Sequence, residues 1–353
     1  MVNISFLGDI SFNDEYNELY IKGTKPFSKV SKVLKESDFV VGNLECLASG
    51  NKGENLSKKP RLKTSVETLN YLKEIGVDLV MLAHNHIYDN LLDGFLKTTN
   101  FLQENEIFRI GVGLSKDEAE RPFVKEINKI KFCFLDYVTE DTHPSLPKDA
   151  EIFLNWFNEN KIINDIRKYR KDVDFMILLL HWGGKVEGGY YPEIEQPEIA
   201  KKFIDSGADL IIGHHSHTLQ PYEIYKRKYI FYSLGNFCFA DIYSDGKIKK
   251  IDQKGTESII LNINFDKNLY SPQIIPIRNV NLFIEPDEKV LKRYKKRLFY
   301  FKFIKRIRII WRLYYLKFKY IDPVFFYFQG DKRDFIKKLR LLDRNKIIRF
   351  IRR

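Results

Sequence analysis

Six of the seven histidines in this sequence fall at the ends of short apolar runs: His84, His86, His181, His214, His215 and His217. Apolar runs of this length predict strands that are buried on both faces. In open α/β sheets, functional groups lie just past the carboxyl ends of the strands. Histidines used only for core packing would not collect at such positions. The pattern therefore indicates a metal site with nitrogen ligands.

Carboxylate and amide side chains follow other predicted strands of the chain: Asp9, Asn43, Glu45, Asn85 and Asp89. Carboxylates mixed with imidazoles suit Mn, Fe, Zn or Mg better than a metal that prefers thiolate ligands. Two such ions close together could bind phosphate oxygens and generate a hydroxide at neutral pH. A histidine beside a ligand, but not itself bound to metal, could protonate a leaving oxygen.

The elements that must position these residues alternate between strand and helix. Strands are predicted where the ligand clusters begin, at 4–7, 39–41, 78–82, 175–180 and 209–212. Helices are predicted between them, at 29–36, 65–75, 91–104, 159–170 and 192–206. After residue 212 the pattern changes to short strands joined by tight turns. This order predicts a layered α/β sandwich with helices packed outside two mixed sheets.

Two loops are also predicted near these clusters. Residues 49–61 are rich in Gly, Asn, Ser and Lys, which is typical of a surface loop. Residues 185–191 contain two glycines and two tyrosines and begin four residues after His181. They suit a mobile loop over a pocket, where Tyr190 and Tyr191 either stack on sugar rings or pack within the loop.

Composition limits the class of protein. The chain has 353 residues, of which 44% are hydrophobic and 30% charged, so it is globular and not disordered. Three widely spaced cysteines favour a reducing compartment over a disulfide framework. We find neither the pattern of a signal peptide nor a run of 18 apolar residues. We therefore expect a cytoplasmic protein without a transmembrane helix.

Positive charge is concentrated at the end of the sequence. From Lys289 to Arg353 there are 23 Lys and Arg against four Asp, a net charge of +19, whereas the rest of the chain carries −7. We therefore predict two domains: residues 1–285 form the α/β body, and residues 286–353 form a basic amphipathic helical appendage. Within the appendage, Tyr294, Leu298 and Phe301 begin an apolar helical face.

Three alternatives account for this appendage. It attaches in the plane of an anionic membrane surface, it packs against the body or another subunit, or it binds nucleic acid. The membrane alternative is favoured because basic and large apolar residues alternate. Nucleic acid is disfavoured because no binding motif accompanies the charge. The expected location is peripheral, on the inner face of the membrane.

Several separated motifs resemble those of the CapA family of bacterial capsule and poly-γ-glutamate synthesis proteins, a branch of the calcineurin-like metallophosphoesterases. In chain order they are Gly8-Asp9, Gly42-Asn43-Leu44-Glu45, Asn85-His86-x-x-Asp89, His181-Trp182-Gly183, Gly213-His214-His215-Ser216-His217 and Gly235-Asn236-Phe237. The resemblance runs from about residue 1 to residue 280. It implies a four-layer αββα fold with two divalent metal ions (Mn, Fe, Zn or Mg) bound between the sheets.

The resemblance also implies roles for individual residues. It implies metal ligands at Asp9, Glu45, Asn85, His181, His215 and His217, with His214 as the alternative in the final cluster. His86 matches the catalytic histidine, and Asp89 either orients His86, caps the following helix or binds metal. Asn43, Trp182 and Asn236 are candidate substrate contacts, although Trp182 is equally suited to the core and Asn236 to a turn hydrogen bond.

Two departures from general metallophosphoesterases keep two functions open. Asp9 is followed by Ile10 and Ser11 where an Asp-x-His motif is usual, and Gly-Asn-Leu-Glu lacks the usual arginine. The first function is metal-dependent hydrolysis of a phosphoester or related bond in a cell-surface polymer or its precursor. The second is a non-hydrolytic accessory role, in which the site holds metal and an acidic or phosphorylated polymer for a membrane synthase or export complex.

Overall fold

Strands dominate the computed structural model of this protein, which describes residues 1–267 and 269–316. The strands are β1 (Val2–Ile10), β2 (Phe39–Leu44), β3 (Leu79–Met81), β4 (Phe108–Ile110), β5 (Val112–Gly113), β6 (Phe123–Ile127), β7 (Ile130–Val138), β8 (Phe153–Leu154), β9 (Phe175–His181), β10 (Leu210–His214), β11 (Tyr222–Tyr225), β12 (Lys228–Phe231), β13 (Asn236–Cys238), β14 (Ile242–Ser244), β15 (Lys247–Lys249), β16 (Glu257–Asp266), β17 (Leu269–Val280) and β18 (Phe283–Pro286). The α-helices are α1 (Glu15–Ile21), α2 (Ser28–Lys35), α3 (Tyr71–Ile75), α4 (Leu91–Glu104), α5 (Lys116–Glu120), α6 (Glu159–Tyr169), α7 (Gln196–Ser206), α8 (Glu288–Ile304) and α9 (Arg308–Leu316).

Two mixed sheets form the centre of the first compact unit, Met1–Lys302. The larger sheet has the order β18-β17-β16-β1-β2-β3-β4, and β13 also pairs with β1. The smaller sheet has the order β11-β12-β10-β9-β7-β6. The strands β1 to β4 are parallel, as are β7, β9 and β10. The carboxyl ends of each parallel set therefore meet at one edge of its sheet.

The apolar core lies between the sheets and on their outer faces. Phe6 and Val41 of the larger sheet share one buried cluster with Phe134, Ile177 and Ile212 of the smaller sheet. Side chains of α2, α3 and α4 pack on the opposite face of the larger sheet. On the outer face of the smaller sheet, β7 bonds to α6 through Tyr137 and Asp165, 2.8 Å apart. The predicted α/β sandwich, with helices outside two mixed sheets, is confirmed.

Helix α8 belongs to the first compact unit for most of its length. Val290 and Tyr294 are buried in the cluster between the sheets. Arg297 donates to Glu257 Oε2 at 2.6 Å and to the carbonyl of Leu219 at 3.1 Å. The predicted domain boundary after residue 285 precedes this helix, whereas the compact unit extends to Lys302. The difference arises because one face of a strongly basic helix is apolar enough to join the core.

The second compact unit begins at Phe303, and its described part contains α9. The second basic amphipathic stretch predicted from the sequence, 331–353, lies outside the described residues. Across residues 1–267 and 269–316, no helix is both long and apolar enough to cross a membrane.

Candidate metal centre

The ends of four parallel strands deliver the polar residues of the site. Asp9 of β1 lies opposite Asn43 of β2, and His181 of β9 lies opposite His214 of β10. All four side chains are buried. Strand β1 can reach this position because residue 8 is glycine: a Cβ there would lie 1.9 Å from the carbonyl oxygen of Gly235.

A carboxylate pair and a histidine form the centre of the site. Ligand atoms of Asp9, Glu45 and His181 lie within 4.8 Å of one another. His181 Nε2 is 3.5 Å from Glu45 Oε1 and 2.9 Å from Asn85 Oδ1. These residues come from four separated segments of the chain, so the fold assembles the cluster that the sequence predicts at strand ends.

The His214–His217 segment closes the other side of the centre. His214 Nδ1 is 3.0 Å from Asp9 Oδ1, and His215 Nδ1 is 3.1 Å from His181 Nε2. His217 Nδ1 is 3.3 Å from Asp9 Oδ2. His215 and His217 have φ values of 89° and 54°, a region that residues other than glycine rarely adopt. In this backbone conformation the three imidazoles contact Asp9 or His181. Both alternatives for the final ligand pair therefore lie in the site.

Buried acceptor atoms in the centre lack hydrogen-bond partners among the described residues. They include both carboxyl oxygens of Glu45, Asn43 Oδ1 and His215 Nε2. Leaving such atoms unpaired is costly, and buried charges are usually paired or bound to a metal. Oxygen and imidazole nitrogen donors in this arrangement suit a divalent ion such as Mn, Fe, Zn or Mg. The residues therefore fit the metal that the sequence predicts.

Burial and mutual charge set the protonation of these groups. Burial, followed by the charge of Asp9, raises the pKa of Glu45 well above its usual value. Burial alone would raise the pKa of Asp9, but its contacts with His214 and His217 hold it well below the usual range. Burial opposes the charge on His217, yet Glu45 and Asp9 raise its pKa to about 10. Burial lowers the pKa of His215 to about 4.

His86 and Asp89 form a hydrogen-bonded pair beside the centre. His86 Nδ1 and Asp89 Oδ2 are 2.6 Å apart, and Asp89 Oδ2 also accepts from the backbone N–H of Leu62 at 2.7 Å. Burial lowers the pKa of His86 and raises that of Asp89. His86 directly follows Asn85, whose Oδ1 lies 2.9 Å from His181 Nε2, so the pair lies beside the centre. Asp89 thus contacts His86 directly, as one of the predicted alternatives requires.

The three candidate substrate contacts make hydrogen bonds within the protein. The side chain of Trp182 is only 2% exposed, stacks on Tyr232 and donates to its carbonyl oxygen at 3.1 Å. Trp182 is packed as a core residue, which is one of the two alternatives left open for it. Asn43 donates to Asp9 Oδ1 at 2.8 Å, and Asn236 Oδ1 lies 2.9 Å from His217 Nδ1. Both amides orient candidate ligands.

Sequence reasoning missed Lys58. The predicted surface loop, 49–61, folds against the site, and the side chain of Lys58 is buried there. Its composition is that of an ordinary loop, and its contacts depend on residues far along the chain. No local pattern could have identified it.

Residues 3–241 match the sequence profile described as bacterial capsule synthesis protein PGA_cap. PGA biosynthesis protein CapA of Bacillus subtilis (strain 168) is 29% identical over 252 residues, which are 68% of this chain and 63% of that protein. Capsule biosynthesis protein CapA of Bacillus anthracis is also 29% identical over 252 residues, 67% of this chain and 60% of that protein. This chain therefore matches less than two thirds of the length of either relative.

Among solved structures, NAD nucleotidase (NadN) of Haemophilus influenzae aligns with a TM-score of 0.44 at 13% identity, covering 84% of this chain and 56% of that one. The PGA_cap profile spans well over half of this sequence and includes every candidate metal ligand from Asp9 to His217. The chain belongs to the bacterial capsule synthesis protein PGA_cap family.

Proposed function

We propose that this protein is a metal-dependent hydrolase of capsule or exopolysaccharide biosynthesis. It would act on a phosphoester or related bond of a cell-surface polymer or its precursor. The proposal is supported by the buried centre of Asp9, Glu45 and His181, in which the carboxyl oxygens of Glu45 lack hydrogen-bond partners among the described residues. The hydrogen-bonded pair His86–Asp89 lies beside this centre. A centre of this kind next to a positioned histidine is suited to hydrolysis.

Divalent ions bound here would supply Lewis-acid catalysis and an activated water. The residues that would hold them are Asp9, Glu45, Asn85, His181, His215 and His217. Asn43 and Asn236 would keep Asp9 and His217 in position. Because Asp89 engages Nδ1 of His86, Nε2 remains as the atom that would pass a proton to the leaving oxygen.

The biological setting is proposed from the family. Two relatives carry the names PGA biosynthesis protein and capsule biosynthesis protein. We infer that the substrate is an acidic or phosphorylated polymer or its precursor. The basic C-terminal sequence would hold the protein on the inner face of an anionic membrane, next to a polymer synthase or export complex.

A non-hydrolytic accessory role is a second candidate, favoured by the end of β1. Ser11, where general metallophosphoesterases carry a histidine ligand, donates to Asn13 Oδ1 at 2.7 Å and is not directed to the centre by any described contact. The centre would then hold metal and polymer for a partner enzyme without cleaving a bond.

The test compares wild type with His86→Ala, each loaded with Mn²⁺, in hydrolysis of p-nitrophenyl phosphoesters. The expected result is loss of at least about 100-fold in kcat, the range of general acid catalysis, with metal content retained. His143→Asn is the matched control, because His143 is the one histidine outside the apolar-run clusters. Equal hydrolysis by His86→Ala would contradict the catalytic role. Absence of hydrolysis in metal-loaded wild type would favour the accessory role.

A further inference from the structure

Lys58 is an unusual lysine in this structure. Its side chain lies in the loop 49–61 and the residue is only 5% exposed. Lysine is almost never fully buried unless its charge is paired. The Nζ atom donates to the carbonyl oxygen of His143 at 2.7 Å. Among the described residues no carboxylate lies within 4.0 Å of it, so one of its three donors is used and no direct ion pair balances the charge.

Contacts with the site hold the loop that carries Lys58. The backbone N–H of Asn55 donates to the carbonyl of Asp89 at 2.8 Å, and its side chain donates to the carbonyl of Ser145 at 2.9 Å. At the far end of the loop, Leu62 N–H donates to Asp89 Oδ2. Asp89 therefore joins the loop to His86, and this holds Lys58 on the same side of the site as His86.

Lys58 lies on the His86 side of the site, because Asp89 bonds to His86 and also to Asn55 and Leu62 on either side of Lys58 in the chain. Burial lowers the pKa of Lys58 itself, while the carboxylates of Asp89, Glu187 and Glu45 counteract that effect. A buried cation with unused donors, on a loop that is bonded to the partner of His86, is suited to bind an anion.

We propose that Lys58 binds an oxyanion of the substrate, a phosphate or carboxylate group, on the His86 side of the metal centre. The inference rests on the proposed function, because it assigns an anionic substrate to that centre. It adds the loop 49–61 to the binding site and gives the site a cation that the second-strand motif Gly-Asn-Leu-Glu does not provide. Lys58 would position the anionic group while His86 faces the leaving oxygen.

The test measures binding of inorganic phosphate and of acetate to full-length, Mn²⁺-loaded protein by calorimetry. Lys58→Met should bind the relevant anion about tenfold more weakly or worse, the loss expected for one charged hydrogen bond. Lys58→Arg should retain most of the affinity. Lys59→Met is the matched control, because Lys59 is the next residue and its side chain is 70% exposed, paired with Asp245; it should bind as wild type does.

The two anions distinguish the source of the oxyanion. A loss confined to phosphate assigns Lys58 to a phosphoryl group, and a loss confined to acetate assigns it to a carboxylate. A second measurement avoids any folding defect of the variants: acetylation of wild-type lysines, read by mass spectrometry. Phosphate or acetate should slow acetylation of Lys58 and leave Lys59 unchanged.

Unchanged affinity in Lys58→Met, together with unprotected Lys58, would overturn the proposal. So would a wild type that binds neither anion. Metal content and phosphoester hydrolysis, measured on the same samples, separate this failure from failure of the proposed function. Wild-type protein that binds metal and hydrolyses phosphoesters, with no effect of Lys58→Met on KM or anion binding, would leave the hydrolase intact and reject Lys58 alone.

Discussion

Two buried carboxyl groups and their imidazole neighbours determine the properties of the centre at the scale of residues. Asp9 is ionised because His214 and His217 contact it, whereas burial and the charge of Asp9 raise the pKa of Glu45. His217 keeps its proton because Glu45 and Asp9 raise its pKa to about 10. Without metal, protons therefore neutralise part of the charge that a divalent ion would neutralise.

Metal binding should consequently release protons at neutral pH. His217, whose pKa Glu45 and Asp9 raise to about 10 against the effect of burial, is protonated at neutral pH and must lose that proton before it can bind an ion. The apparent metal affinity should rise about tenfold per pH unit for each proton released. Calorimetry in buffers of different ionisation enthalpy measures the number of protons. A pH-independent affinity with no proton release would contradict these assignments.

Strand-end position is what made most site residues predictable from sequence. Asp9, His181 and His214 each lie at the carboxyl end of a buried apolar strand, so their types and positions alone indicated a common site. The roles of Asn43 and Trp182 were not predictable in this way. Whether an amide faces a ligand or a substrate, and whether an indole lies in the core, depends on side-chain packing between strands that are distant in sequence.

Among the elements, helix α8 packs against the loop that follows His181. Tyr191 stacks on Phe301 with ring centroids 6.0 Å apart, and the guanidinium of Arg297 lies 4.2 Å from the ring centroid of Tyr190. The two tyrosines therefore pack on α8, as one of the two predicted alternatives for this loop requires. Charge composition placed the domain boundary before α8, because a count of charges does not reveal which face of a helix is buried.

Removing Arg297 should destabilise the first compact unit. Its guanidinium lies 2.6 Å from Glu257, whose side chain is only 2% exposed. We expect Arg297→Met to lower the free energy of unfolding by about 3 kcal/mol, because it removes one of the two arginines that pair with the buried carboxylate of Glu257. Urea unfolding of the full-length protein measures the change.

Arg293→Met is the matched comparison. Arg293 also contacts Glu257 at 2.6 Å, but its side chain is 36% exposed, so its replacement should cost less. Equal stability of wild type and Arg297→Met would contradict the stabilising role of the Arg297–Glu257 pair.

In the whole molecule, the net positive charge of the sequence lies after Lys302, where the first compact unit ends. Residues 303–353 contain 16 Lys and Arg against four Asp, a net charge of +12, and residues 1–302 are neutral overall. The division lies 17 residues beyond the boundary predicted from sequence, because the basic residues of α8 belong to the first unit. The sheets were predictable from apolar runs alone, whereas this limit depends on tertiary packing.

We expect the full-length protein to sediment with vesicles that contain anionic lipid, and not with neutral vesicles. Each basic residue near an anionic surface contributes roughly 1 kcal/mol, and salt should weaken the binding. A chain that ends at Lys302 should remain folded and stay in the supernatant. Equal sedimentation of both chains, or of neither, would reject attachment through the C-terminal sequence.

The buried cluster of carboxylates and histidines is expected to bind divalent metal ions. Elemental analysis of the purified full-length protein, incubated with Mn²⁺ or Zn²⁺ and then desalted, tests this expectation most directly. Glu45→Gln and His181→Ala are the variants, and His143→Asn is the control with a histidine removed outside the cluster. Wild type and control should each bind two ions per chain, and both variants should lose bound metal. Absence of bound metal in wild type, or equal metal content in all four proteins, would contradict this expectation.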